Sequence, residues 1–135
     1  MDTQQYDKDL IQVRQILEVA AVKMAAERRT EADLNDIKAA QKIFADQTLN
    51  FESGIEENLL FHLKVVTASK NEVLTSLFIK LIPDLINMFN KTKHLDDTKY
   101  LKGINEHDQI IDYIMLQNSQ AAEKAMEIHL ENESK

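Results

Sequence analysis

The stretch EENLLFHLKVVTASKN, residues 56–71, decides how this chain folds. Leu59, Val65 and Val66 lie three or four positions from His62, and residues at that spacing share one face of an α-helix. Asn71 ends the stretch, and asparagine is a residue type that caps the start of a following helix. The stretch therefore predicts a helix with a histidine on its buried face, followed closely by a second helix.

The composition of the chain favours an all-α fold. The 135 residues include two glycines and one proline, which leaves little material for the tight turns of a β domain. The hydrophobic fraction of 44% and the charged fraction of 29% are typical of a globular chain, so we expect a single domain over residues 1–135. The absence of cysteine excludes disulfides and thiolate metal ligands, and it fits a cytoplasmic protein.

The net charge of −7 limits the partners of this chain. A surface with this balance repels phosphate backbones, so we expect contact with DNA only through another domain. No apolar run approaches the roughly 18 residues needed to span a bilayer. The opening MDTQQYDKDL has no signal-peptide character, and we expect no membrane partner.

Apolar periodicity predicts six helices in an antiparallel bundle. TEAD at 30–33 and SGIE at 53–56 are candidate capping boxes for the second and third helices. Pro83 predicts a kink in the fourth helix, and KHLDDTKYLKG at 93–103 is the most loop-like stretch. We expect the sixth helix to fray in the last five residues. The predicted helices cover about 7–28, 31–48, 53–69, 71–92, 105–117 and 119 to the C-terminal segment.

Three of the four histidines lie on predicted buried faces. His62, His107 and His129 are on three different helices, each among apolar residues at helical spacing, whereas His94 lies among charged residues and is expected at the surface. A single buried histidine is most often a core side chain that bonds a carbonyl. Three of them also suit a shared divalent metal such as zinc, because neutral imidazole is a common metal ligand. Periodicity alone leaves both interpretations open.

Two further polar residues are candidates for the same site. Asn58 is four residues before His62 and can address the same ion through its amide oxygen, or it can simply bond a neighbouring helix. Arg14 borders the apolar stripe of the first helix, either as a surface arginine or as a guanidinium that holds a carboxylate. Glu57 points away from His62, and Glu106 is expected at the surface or outside the ligand set.

Three segments carry a resemblance to a known family. VRQILEVAAVKMAAERRTEADL (13–34), NLLFHLKVVTASKN (58–71) and EHDQIIDYIMLQNSQAAEKAMEIHL (106–130) resemble the FadR C-terminal (FCD) effector-binding domain of GntR-superfamily bacterial regulators. The resemblance spans nearly the whole chain and rests on the order and spacing of the segments together.

The resemblance implies a helical bundle around a central cavity that holds a divalent metal, zinc or another ion such as nickel. The family's aspartate and three histidines fall on Asn58, His62, His107 and His129. A small carboxylate effector would complete the coordination, with Arg14 as the effector-binding residue. Because asparagine replaces aspartate here, a weaker metal site, a different ion or metal-free ligand binding are all open.

The resemblance also implies a homodimer that reaches DNA through a separate N-terminal winged helix-turn-helix. The chain opens almost directly on the first helix of the effector domain, so we expect an excised domain. The predicted function is ligand sensing and dimerisation for a transcriptional regulator, without catalysis. Two alternatives are a metal-dependent, hydrolase-like bundle and a structural bundle without metal. A di-iron bundle is disfavoured because its Glu-x-x-His pairs do not occur.

Overall fold

The computed structural model describes residues 3–50, 54–92 and 98–135. These residues form helices and no strand, and the predicted all-α fold is confirmed. None of the described helices is both long and apolar enough to cross a membrane. The six helices are α1 (Thr3–Arg28), α2 (Glu31–Leu49), α3 (Ile55–Thr67), α4 (Glu72–Asn90), α5 (Thr98–Met115) and α6 (Ser119–Glu133).

Helix α1 is the centre of the bundle and contacts α3, α4, α5 and α6. Its buried face carries Ala21, Val22, Ala25 and Ala26, and small side chains allow the neighbouring helices to approach closely. One core cluster joins α1 to α2, α3, α5 and α6, and a second joins α1 to α3 and α4. The polar residues described below lie among these apolar clusters.

Side-chain caps fix where several helices begin. Thr30 and Asp33 form the predicted capping box of α2, and the side chain of Asn71 caps α4 as predicted. The predicted box at 53–56 is not the start of α3, because α3 is capped by Gly54 without a side-chain bond. Residue 53 itself lies outside the described residues. Asn118 caps α6 in the same way as Asn71 caps α4.

Two of the predicted helix ends that lie close to the polar residues described below are wrong. Helix α5 begins at Thr98 and not near Asn105, so much of the predicted loop is helical. Helix α6 continues to Glu133, whose side chain is only 11% exposed, so the expected fraying does not begin there. Residues 93–97, with His94, lie outside the described part of the chain. Helix α4 is one continuous helix through Pro83.

Candidate metal centre

Three imidazoles from three helices meet in the interior. His62 of α3, His107 of α5 and His129 of α6 are each at most 1% exposed. The Nε2 atom of His129 lies 3.1 Å from that of His107 and 3.2 Å from that of His62. One ring nitrogen of each histidine can therefore face a common point, and all three lie within 4.8 Å of one another. The structure thus brings together the three histidines that the sequence singled out.

Carboxylates fix the tautomers of two of these rings. His62 Nδ1 lies 2.5 Å from Glu18 Oε1, and His129 Nδ1 lies 2.7 Å from Glu106 Oε1. An ionised carboxylate only accepts hydrogen bonds, so each Nδ1 carries the proton and donates it. In a neutral ring the Nε2 atom then presents a lone pair.

Gln41 fixes the third ring by the same logic. Its Nε2 donates to the carbonyl oxygen of Ile104 and to Asp108 Oδ1, both at 3.0 Å. The amide oxygen therefore faces His107 Nδ1, 2.7 Å away, and that nitrogen must be the donor. The Phe61 ring stacks on His107 with centroids 3.8 Å apart and helps hold its plane.

The convergence of three Nε2 lone pairs requires a positive charge between them. Lone pairs 3.1–3.2 Å apart in a dry interior repel one another unless a proton or a metal ion lies between them. Neighbouring ligand atoms that bind one ion at about 2.0–2.1 Å would lie roughly 3 Å apart, whether the ion has four ligands or six. The donor set and its spacing fit a divalent transition metal, with each Nδ1 held by an outer partner as is usual for metal-binding histidines.

Glu133 is the neighbour of this cluster that the sequence interpretation missed. Its Oε2 atom lies 3.1 Å from His129 Nε2 and 3.3 Å from His62 Nε2. Its Oε1 atom accepts a 2.8 Å hydrogen bond from Asn58 Nδ2. An acidic residue that the sequence analysis did not name therefore shares a helical face with His129. The signal was the four-residue interval from His129 to Glu133, in a segment that was expected to fray.

Arg14 lies inside the protein and joins two carboxylates. Its Nε donates to Glu18 Oε2 at 2.5 Å, its Nη2 donates to Glu133 Oε2 at 3.2 Å, and its side chain is 4% exposed. The guanidinium also lies over the Phe89 ring, 5.4 Å from its centroid. The surface-arginine alternative is thus wrong, and the four-residue spacing from Arg14 to Glu18 was the signal for Glu18.

The charges in this cluster set the protonation states. Burial alone would raise the pKa of Glu133, but Arg14, His129 and His62 hold that pKa well below its usual range. Burial alone would lower the pKa of His129, but the carboxylates of Glu133 and Glu106 raise it to about 9. Burial, followed by the charges of His129 and His62, lowers the pKa of His107 well below its usual value.

A cavity of about 470 Å³ opens beside the cluster. The cluster reaches its wall through Arg14, Asn58, His129 and Glu133, which form its polar end, and further polar groups come from Gln15, Thr92, Lys99, Ser134 and Lys135. Its other walls include Ile11, Phe44, Ile55, Met88, Phe89 and Tyr100. The volume lies within the range of small-molecule sites, and the wall combines apolar side chains with polar and charged ones.

The family model for the FCD domain matches residues 9–132. The chain belongs to the FCD-domain family. It is 33% identical over 129 residues to the HTH-type transcriptional regulator LutR of Bacillus subtilis (strain 168), covering 93% of this chain and 59% of LutR. It is 31% identical over 124 residues to the galactonate operon transcriptional repressor of Escherichia coli (strain K12), covering 89% of this chain and 54% of the repressor. The chain thus spans little more than half the length of these relatives.

A solved structure shares the fold of this FCD domain. The GntR protein of Streptococcus agalactiae superposes with a TM-score of 0.83 and 22% sequence identity, over 98% of this chain and 59% of that chain. The resemblance to GntR-superfamily effector domains is confirmed. The relatives are transcriptional regulators, which confirms the expectation that the domain is not an enzyme.

Proposed function

We propose that this FCD domain is the sensing and dimerisation part of a GntR-family regulator. It binds a divalent metal through His62, His107 and His129, and it takes a small carboxylate effector into the adjoining cavity. A separate N-terminal winged helix-turn-helix carries the DNA contacts. The metal is zinc or a similar ion such as nickel, because three neutral imidazoles suit those ions.

The observation that carries the metal proposal is the fixed tautomer of all three rings. Glu18, Glu106 and Gln41 each accept from an Nδ1, so three Nε2 lone pairs are directed at one another. Without an ion these lone pairs repel one another until one ring takes up a second proton, whereas a divalent ion engages all three at once. When bound, the metal supplies a fixed positive charge that attracts an anionic group.

The cavity supports the effector proposal. A carboxylate at its polar end would meet the metal and Arg14, which suits paired hydrogen bonding to an anion. The apolar walls leave room for a small organic acid behind that carboxylate. One relative is named for the galactonate operon, and galactonate is itself a hydroxylated carboxylate, which supports the same ligand class.

The proposed homodimer follows from the family and from two-fold operators. Helix α4 exposes the apolar side chains of Val73 and Leu77 four residues apart, which is the kind of surface that a second copy can cover. Effector binding acts on DNA affinity by favouring one arrangement of the two domains, typically with a coupling of about 1–3 kcal/mol.

Metal content and thermal stability test the proposal together. Protein purified without an affinity tag should hold about one divalent ion per chain by elemental analysis. Metal at 100 times its dissociation constant should raise the free energy of unfolding by about 2.7 kcal/mol over the value in chelator. His62→Ala and His129→Ala should abolish that gain. Equal melting temperatures in metal and chelator for the wild type, with no bound ion, would refute the metal centre.

The proposed carboxylate effector is tested by a separate measurement. A panel of hydroxy acids and sugar acids should raise the melting temperature of the metal-loaded wild type, and the corresponding neutral alcohols should not. Arg14→Lys keeps the charge but loses the paired geometry, so it should weaken carboxylate binding. Equal responses to acids and alcohols would contradict a carboxylate effector.

A further inference from the structure

We propose that Glu133 supplies the acidic ligand of the metal centre and that Asn58 is a positioning residue that holds it. The inference rests on the proposed metal centre. The family's aspartate corresponds to Asn58, on helix α3, whereas Glu133 is the last residue of helix α6. The acidic ligand would thus have moved from one helix to another within the same site.

The position of the Glu133 carboxylate carries the first step. Its Oε2 atom lies 3.1 Å from His129 Nε2 and 3.3 Å from His62 Nε2. The Nε2 atom of His129 is itself 3.1 Å from that of His107 and 3.2 Å from that of His62. The carboxylate oxygen is therefore about as close to the Nε2 atoms of His129 and His62 as those atoms are to each other, which puts it within reach of an ion that both histidines bind.

The second step is the contact chemistry of Asn58. Its Nδ2 donates to Glu133 Oε1 at 2.8 Å, so the amide nitrogen is the atom that faces the carboxylate. An amide nitrogen is a donor and does not ligate a metal. Asn58 is buried, with 6% of its surface exposed, and its contact fixes the rotation of the carboxylate and leaves Oε2 toward the imidazoles.

The charge balance carries the third step. Metal binding requires three neutral imidazoles, and in that state the charges of Glu18, Glu106, Glu133 and Arg14 sum to −2. A divalent ion cancels that charge. An aspartate at position 58 would add a further buried negative charge directly against Glu133, at a separation of about 3 Å that buried carboxylates avoid unless one is protonated. Asparagine at 58 and glutamate at 133 therefore belong together.

Metal affinity of matched variants tests the assignment. Dissociation constants for Zn²⁺ and Ni²⁺ would be measured by competition with a chromophoric chelator on the wild type, Glu133→Gln, Asn58→Ala and Glu131→Gln. Glu131 is exposed on the same helix, so its variant removes the same charge away from the site. Loss of an outer partner costs about 10–100-fold in affinity, so Glu133→Gln should cost at least about 100-fold. Glu131→Gln should stay within about twofold.

The Asn58 variant separates positioning from ligation. Asn58→Ala should weaken binding by about tenfold or less and keep the visible absorption spectrum of the Co²⁺-loaded protein, because the Glu133 oxygen remains a ligand. Glu133→Gln should change that spectrum. A loss in Asn58→Ala as large as in Glu133→Gln, with an altered spectrum, would make Asn58 the ligand and overturn the assignment.

Exchange of the residue types at positions 58 and 133 distinguishes loss of a ligand from a folding defect. The double variant Asn58→Asp with Glu133→Gln moves the carboxylate back to α3 and lets the new amide donate to it. It should recover at least tenfold of the affinity lost in Glu133→Gln alone. Wild-type affinity in Glu133→Gln, or no recovery in the swap, would overturn the role of Glu133 and leave the histidine site standing. A wild type that binds neither ion would instead refute the metal centre itself.

Discussion

Replacement of Arg14 by an uncharged residue should strongly destabilise this domain. Its guanidinium is the partner of two buried carboxylates, Glu18 at 2.5 Å and Glu133 at 3.2 Å. Arg14→Met keeps the length and apolar contacts of the stem and removes the charge. The variant leaves both carboxylates in the interior without the group that compensates them.

The size of the loss follows from that imbalance. Removing one partner of a buried ion pair costs about 3–5 kcal/mol, because the remaining charge stays desolvated and unpaired. Without metal His129 is protonated, so the cluster would carry −2 in the variant in place of −1 in the wild type. A loss of that size should lower the melting temperature of a domain this large by about 11–18 °C in chelator. A bound divalent ion offsets part of the excess negative charge, so the loss should be smaller in metal.

Chemical unfolding in chelator and in metal measures this effect directly. A double-mutant cycle with Glu18→Gln separates the pair from the rest, since Arg14→Met should cost at least about 1 kcal/mol less once Glu18 is neutral. Arg28→Met is the matched control, because Arg28 is exposed and its described hydrogen bond, to the carbonyl of Ser69, is 3.4 Å long. Its variant should stay within about 0.5 kcal/mol of the wild type.

A small cost would refute this reasoning. If Arg14→Met loses less than about 1 kcal/mol in chelator, the two carboxylates do not depend on the guanidinium. Arg14 would then be free to serve an external carboxylate alone. Additive costs in the cycle would show equally that Arg14 and Glu18 are not coupled.

Two further predictions concern the wall of the cavity and the pH dependence. Gly103→Ala should stabilise the domain by about 1 kcal/mol, because alanine is the better helix residue and its Cβ would lie at an ordinary 3.8 Å from the Phe44 ring. Gly54→Ala should destabilise the domain, because its Cβ would lie only 3.2 Å from the same ring. Thermal melts of both variants measure the difference, and equal shifts in melting temperature would contradict the contact argument. The pKa of His129 is raised from 6.5 to about 9 in the fold without metal. Protonated His129 therefore adds its full contribution to the free energy of unfolding below pH 6.5, and that contribution is lost as the pH rises through 9. In chelator, the melting temperature of the wild type should fall as the pH rises across that window, and the melting temperature of His129→Gln should change less. A wild-type melting temperature that does not change with pH would refute the raised pKa.

The helices were predictable because apolar spacing and caps are local properties of the chain. Thr30, Asp33 and Asn71 could be identified because their bonds join residues three positions apart. The start of α5 was missed because its first turns are polar and contain Gly103. That glycine is buried beside Phe44 inside the helix, and a Cβ there would make only an ordinary 3.8 Å contact, so the glycine is not a helix end.

The acids of the site were harder to predict than the histidines. A buried histidine is conspicuous among apolar residues, whereas glutamate is abundant in this chain and is normally read as solvated. Glu18 is buried only because Arg14 and His62 approach it from two helices. Such contacts span 44 residues in the case of His62, so they become visible only when the helices are assembled.

The contact between Asn58 and Glu133 concerns the position where the resemblance implies an aspartate ligand. Asn58 lies four residues before His62, and Glu133 lies four residues after His129, so each shares a helical face with a histidine. Because Asn58 Nδ2 and Glu133 Oε1 are 2.8 Å apart, side chains at 58 and 133 reach the same corner of the site. A carboxylate from either helix can occupy that corner, but only with a neutral donor on the other. With Glu133 as the proposed ligand, Asn58 would be the neutral donor that a carboxylate at position 133 requires.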